Sequence, residues 1–143
     1  MIVTKKPLFN GTNEKYWDFY NKKTPLCFLE FWTTSPIDAI IHAKESTKRH
    51  GSKMMITCLN VWNSFDFELY SKGGFGPEEN TEWYKRIAMP NNGGLLTPKL
   101  IKEKFLENYR EVELDKLVEK YCDDNQKDFY EKLKEGWKNK NDR

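Results

Sequence analysis

Residues 28–43, Phe28-Leu29-Glu30-Phe31-Trp32-Thr33-Thr34-Ser35-Pro36-Ile37-Asp38-Ala39-Ile40-Ile41-His42-Ala43, constrain the fold more than any other stretch. The segment opens as an apolar, aromatic strand and turns directly into a helix. Ser35 suits the N-cap, Pro36 suits the first helical position, and Asp38 stands where an acidic side chain completes a capping box. Ile37, Ile40 and Ile41 share one helical face, flanked by Lys44 and Lys48. His50-Gly51 closes the helix with a residue suited to a left-handed C-cap. A strand that feeds a helix through a hydroxyl-rich turn is also a good place to hold a ligand.

A second strand is expected over Lys53–Trp62. Its alternate positions, Met55, Leu59 and Val61 against Met54, Ile56, Cys58 and Trp62, are apolar on both faces, the pattern of a central strand covered on both sides. Ile2–Phe9 reads as a further strand, with Pro7 placing it at an edge. Asn10–Asn13 carries a turn signal, and Tyr16–Tyr20 is an aromatic cluster expected in the core. Ser71–Pro77 holds three glycines but lacks the Gly-Lys-Ser/Thr ending of a phosphate-binding loop, so a surface loop is expected. Glu78–Met89, acidic at its start and basic at Lys85-Arg86, is predicted helical.

Beyond Asn91–Gly94 the pattern changes. Thr97-Pro98 restarts a helix, and three apolar stripes follow: Ile101, Phe105 and Tyr109; then Leu114, Leu117, Val118 and Tyr121; then Phe129, Tyr130, Leu133 and Trp137, with Asp123-Asp124 as the break. The reading is therefore α+β: a small, twisted, mostly antiparallel sheet with flanking helices in a body of residues 1–96, and a helical extension over 97–143 packed on it. Tyr121, Tyr130 and Trp137 are candidate anchors for a protein partner, since aromatic side chains dominate interfaces; burial against the sheet is the alternative.

Composition narrows the function classes. A chain of 143 residues with 32% charged and 15% aromatic residues suits one domain with a solvated surface and an aromatic core. The net charge of +2 gives no indication of nucleic-acid binding. No apolar run reaches the roughly 20 residues of a membrane span, no secretory signal follows Lys5-Lys6, and residues 98–143 carry twelve basic and twelve acidic residues, which leaves no basic membrane face. Cys27, Cys58 and Cys122 are widely spaced and read as reduced thiols of a cytoplasmic protein. Two histidines and no Cys-x-x-Cys leave no metal pattern.

Three motifs in order over about residues 7–67 resemble small ADP-ribosyltransferase domains. Pro7-Leu8-Phe9-Asn10-Gly11-Thr12-Asn13 is similar to their Leu-Tyr-His-Gly-Thr opening strand. Leu29–Pro36, followed by Ala39 and Ala43, is similar to their aromatic-aromatic-Thr-Thr strand entering a helix. Met55–Asp66 resembles their third strand, which ends in Leu-Asn-Val.

The resemblance implies NAD in a cleft between two short sheets, bound as the substrate that donates ADP-ribose to a macromolecular target, expected to be a protein, in a protein of phage or mobile-element type. The binding residues it implies are Asn10, Gly11, Thr12, Phe31, Trp32, Thr33 and Thr34. Asn10 stands where the family has His and keeps hydrogen-bonding capacity. Phe31 stands where Tyr is usual and keeps the stacking face. A carboxylate must stabilise positive charge on the ribose as nicotinamide leaves, and Glu78, Glu79 and Glu82 are the candidates. The other class open to such a chain is a non-catalytic inhibitor or adaptor that binds a protein.

Overall fold

The computed structural model describes residues 7–21, 31–60, 67–78, 80–86 and 106–141. In chain order these form β1 (Leu8–Asn13), α1 (Glu14–Asn21), β2 (Phe31–Thr33), α2 (Pro36–His50), β3 (Met54–Leu59), β4 (Phe67–Lys72), β5 (Glu82–Arg86) and β6 (Leu106–Arg110). A 3-10 turn (Glu111–Glu113), α3 (Leu114–Tyr121) and α4 (Asp124–Asn141) complete them. The class is α+β, as expected. All six strands join one antiparallel sheet in the order β4-β5-β2-β1-β3-β6.

The N-cap, first-position proline and C-cap expected of the opening stretch are present, but the capping box at Asp38 is not. Ser35 has extended backbone and its Oγ accepts from the Asp38 amide at 3.2 Å. Pro36 opens α2, and Gly51 closes it at φ +66°, its amide donating to Thr47 O at 2.8 Å. The buried face is not the isoleucine stripe alone: Ile37, Ala39, Ile40 and Ala43 are fully buried, and Ile41 sits at the margin. The alanines are needed because α2 lies directly on Gly11 of β1. A Cβ added there would stand 1.9 Å from the Ala39 carbonyl oxygen.

β3 is the expected central strand, buried along its whole length between β1 and β6. Phe9, Ile56 and Cys58 pack beneath α2, α3 and α4 with Leu117, Val118 and Tyr130. Leu8, Met55 and Leu59 face the other way, with Trp17, Trp32 and Tyr84. Of the aromatic cluster expected in the core, Trp17 is buried there, whereas Tyr16 is exposed.

Four expectations are corrected. β1 spans Leu8–Asn13, runs through the expected turn at Asn10–Asn13, and is central, while residues 2–6 of the expected strand lie outside the described residues. Pro7 lies just before the paired residues, so its missing amide costs no ladder bond. Glu82–Arg86, expected helical, is a strand between β2 and β4. The charge gradient suited a helix, but Trp83 and Tyr84 on opposite faces complete two sheet ladders, and that long-range pairing outweighs it.

Leu106–Arg110 is likewise a strand, paired to β3 from Met55↔Arg110 to Leu59↔Leu106, so the expected 97–143 extension is not helical throughout. A spacing of four residues is close to one helical turn and is also an even number, so the Phe105–Tyr109 interval fits either period. Finally, the sheet is not confined to the body of residues 1–96, since β6 forms its edge. The helices from Leu114 onward match expectation, as does the break at Asp123. There Gln126 N donates to Asp123 Oδ1 at 2.8 Å and Asp123 N to Gln126 Oε1 at 2.9 Å. Cys27 and the boundary at Asn91–Gly94 lie outside the described residues. Cys58 and Cys122 are free and buried, and burial pushes both thiols up to about 12.

Candidate functional site

The sheet has two halves joined at a narrow seam. Among the described residues β1 and β2 share a single paired position, Phe9↔Thr33, whereas β1 and β3 share six. Asn10 bridges the seam, its Nδ2 donating to Phe31 O at 2.7 Å. α2 covers the β1–β3 half. Among the described residues the same face of the β2–β5–β4 half is left uncovered by a helix, and a hollow lies there.

The hollow has a volume of about 570 Å³ and is walled by Phe31, Tyr70, Phe75 and Trp83, with His42 and Lys72 at its polar margins. Phe31 meets Tyr70 edge-on at 5.1 Å between ring centroids, and His42 meets Trp83 at 5.8 Å. His42 Nδ1 lies 3.1 Å from Gly11 O. A carbonyl can only accept, so Nδ1 carries the proton and Nε2 of the neutral ring is an acceptor. Tyr70 and Phe75, 64% and 70% exposed, form an apolar rim. Concave aromatic walls with a few polar groups suit a planar ring.

The glycine-rich segment forms the outer wall. Gly73, at φ +99°, donates its amide to Thr81 O at 2.7 Å and closes the loop between β4 and β5. The expected capping-box acid is the anchor. Instead of turning back to its own helix, the Asp38 carboxylate accepts from Phe75 N at 2.5 Å and from Gly76 N at 3.0 Å through Oδ1. Its side chain is fully buried. A Cβ on Gly74 would stand 2.3 Å from Asp38 Oδ2, so only glycine lets the loop lie this close. Asp38→Ala should therefore cost about 2 kcal/mol, the scale of charge-assisted hydrogen bonds whose donors are left unpaired. Hydrogen exchange should quicken at Gly73–Gly76 in that variant. Exchange there at the wild-type rate would show that the carboxylate does not hold the wall.

Of the binding residues expected from sequence, Phe31 alone reaches this hollow. Asn10 and Thr12 alternate onto the opposite face of β1 from Gly11, and Gly11 is the seat of α2. Trp32 is fully buried among Leu8, Met55 and Phe67. Thr33 Oγ1 accepts from Ser35 N at 3.2 Å and Thr34 Oγ1 from Glu82 N at 3.0 Å, so both hydroxyls build the turn.

Glu78 Oε1 accepts from Gln126 Nε2 at 2.6 Å and ties the loop to α4. Glu82 lies on the face of β5 opposite Trp83, beside Tyr84, whose hydroxyl its carboxylate helps push up, after burial. Glu79 lies outside the described residues. Among the described residues no metal-binding cluster of His, Cys, Asp and Glu occurs, and no helix is long and apolar enough to cross a membrane.

The three tail aromatics are engaged within the molecule. Tyr130 is buried and its hydroxyl donates to Asp115 Oδ1 at 2.9 Å. Trp137 packs against the α2 side of the core, with Lys44 Nζ 5.0 Å from its ring centroid. Tyr121 stacks edge-on against Phe9 and donates to Glu107 Oε2 at 3.3 Å.

Glu107 is the centre of a polar cluster on β6, accepting also from Tyr109, Lys120 and Asn60. Burial is the largest single influence on its carboxyl and pushes it up. The hydrogen bonds from Tyr109, Lys120 and Asn60, with the Lys120 charge, together outweigh burial and hold it at about 2. Sequence reasoning missed Tyr70, Phe75, Trp83, His42 and Lys72 as site residues. The one available signal was an aromatic residue set between glycines at Gly74-Phe75-Gly76.

No protein-family model, curated protein or solved structure matches this chain.

Proposed function

We propose that this chain is an ADP-ribosyltransferase-like protein of the cytoplasm that takes NAD with its nicotinamide ring in the aromatic hollow and acts on a protein target. One observation carries the reading. Phe31, the second-strand aromatic to which the family resemblance assigns ring stacking, forms a wall of the hollow together with Trp83 and Tyr70. The narrow β1–β2 seam supports it too, because it divides the sheet into two three-stranded halves.

A second reading, a protein that binds through this hollow without catalysis, is favoured by the carboxylates. Glu78 is held by Gln126 and Glu82 faces away from the hollow.

Calorimetric titration with NAD tests the first step. Loss of a stacking ring costs about 1–3 kcal/mol, so Phe31→Ala should weaken NAD binding by about 5-fold to 150-fold. Absence of binding to the wild-type protein at millimolar NAD would overturn the nucleotide reading. Incubation with labelled NAD and host lysate then separates the two classes: label on a protein supports transfer, and NAD binding without label supports the binder.

A further inference from the structure

A second hollow adjoins the aromatic one along α2. It measures about 510 Å³, and His42 and Phe75 line both, so the two hollows lie side by side along α2. The second hollow is different in chemistry. Arg49 and His50 line it with Glu45. His42, Glu45 and Arg49 lie at helical spacings of three, four and seven and so share one face of α2, and Arg49 stands about 10 Å along the axis from His42 at 1.5 Å rise per residue.

The charges in this hollow are unequal. Glu45 is paired with Lys48 at 3.4 Å. Arg49 has no ion pair among the described residues, and Lys72 adds a cation at the aromatic end. An aromatic pocket with an adjoining hollow that holds an arginine outside any ion pair suits a planar ring joined to an anionic group. The planar guanidinium of Arg49 is suited to grip phosphate oxygens in pairs.

We infer that the two adjoining hollows together form a single nucleotide site, in which the ring occupies the aromatic hollow and Arg49 binds the phosphates of the same ligand. This rests on the nucleotide reading above and adds the direction in which the ligand lies and the residue that recognises its charge. Glu45 is ion-paired with Lys48, which lessens its repulsion of a phosphate.

The experiment is a titration of the full chain with two probes, NAD and nicotinamide riboside, which carries the ring and sugar without phosphate. It is run on wild type, Arg49→Gln and Phe31→Ala, with circular dichroism to confirm folding. Arg49 is exposed, so Arg49→Gln leaves the core intact. Arg49→Gln should weaken NAD about tenfold and leave the riboside unchanged, and wild-type NAD affinity should fall as salt is raised. Phe31→Ala should weaken both probes. NAD binding that is lost in Phe31→Ala but equal in Arg49→Gln and wild type overturns the inference and leaves the nucleotide reading standing. Equal weakening of both probes by Arg49→Gln also overturns it, because phosphate is then not what Arg49 recognises. No NAD binding to wild type overturns the reading and the inference together.

Discussion

Gly11→Ala is expected to destabilise the protein by about 3 kcal/mol or more, which for a chain of this size lowers the melting temperature by about 10 °C. The added Cβ would lie 1.9 Å from Ala39 O, 2.8 Å from Ala39 C and 3.0 Å from Ala43 N. All three are backbone atoms of α2, so no side chain can swing aside. The helix must lift from β1, and Phe9, Ile40 and Ile56 lose packing with it. Thermal unfolding followed by circular dichroism without any ligand checks this. A melting temperature within about 2 °C of wild type would mean that α2 does not rest on β1 as described. The prediction also separates two roles for Gly11. A residue needed only for the approach of a cofactor would be silent in the unliganded protein.

Trp32→Ala is expected to cost about 3–5 kcal/mol, the range for removing a buried aromatic from a packed core. Trp32 is fully buried on the face of the sheet away from α2, edge-on to Phe67 at 6.2 Å and paired in register with Tyr84. Its neighbour Phe31 points the other way and is half-buried in the wall of the hollow. The adjacent substitutions should therefore diverge. Trp32→Ala should lower the urea midpoint sharply, whereas Phe31→Ala should affect mainly ligand binding. If Phe31→Ala is the more destabilising of the two, the faces of β2 have been assigned the wrong way round.

The same alternation explains what could be read of the site in advance. The sequence marks Phe31–Thr34 as a strand entering a ligand-holding turn, and the strand and turn are there. A three-residue strand, however, presents its side chains to opposite faces, and residue type alone does not say which face is open. Phe31 falls on the open face, Trp32 in the core, and the hydroxyls of Thr33 and Thr34 within the turn itself. Asp38 shows the same limit on a helix. Its position at the start of α2 was legible. Its partners were not, because Phe75 and Gly76 are far away in the chain.

By itself, the sequence determined what acts over a few residues. Ser35, Pro36 and Gly51 set the ends of α2 because a cap bonds only to its own turn. β3 was legible because both of its faces are apolar and no surface position could carry that pattern. The helices after Leu114 were legible because each has one apolar face. The tertiary structure alone decided that Glu82–Arg86 and Leu106–Arg110 are strands, since their backbone partners are β2, β4 and β3 and their local patterns suit a helix as well. It alone also assembled the aromatic hollow. Phe31, His42, Tyr70, Phe75 and Trp83 come from separate segments, and only the placement of α2 over one half of the sheet leaves the other half open to receive a ring.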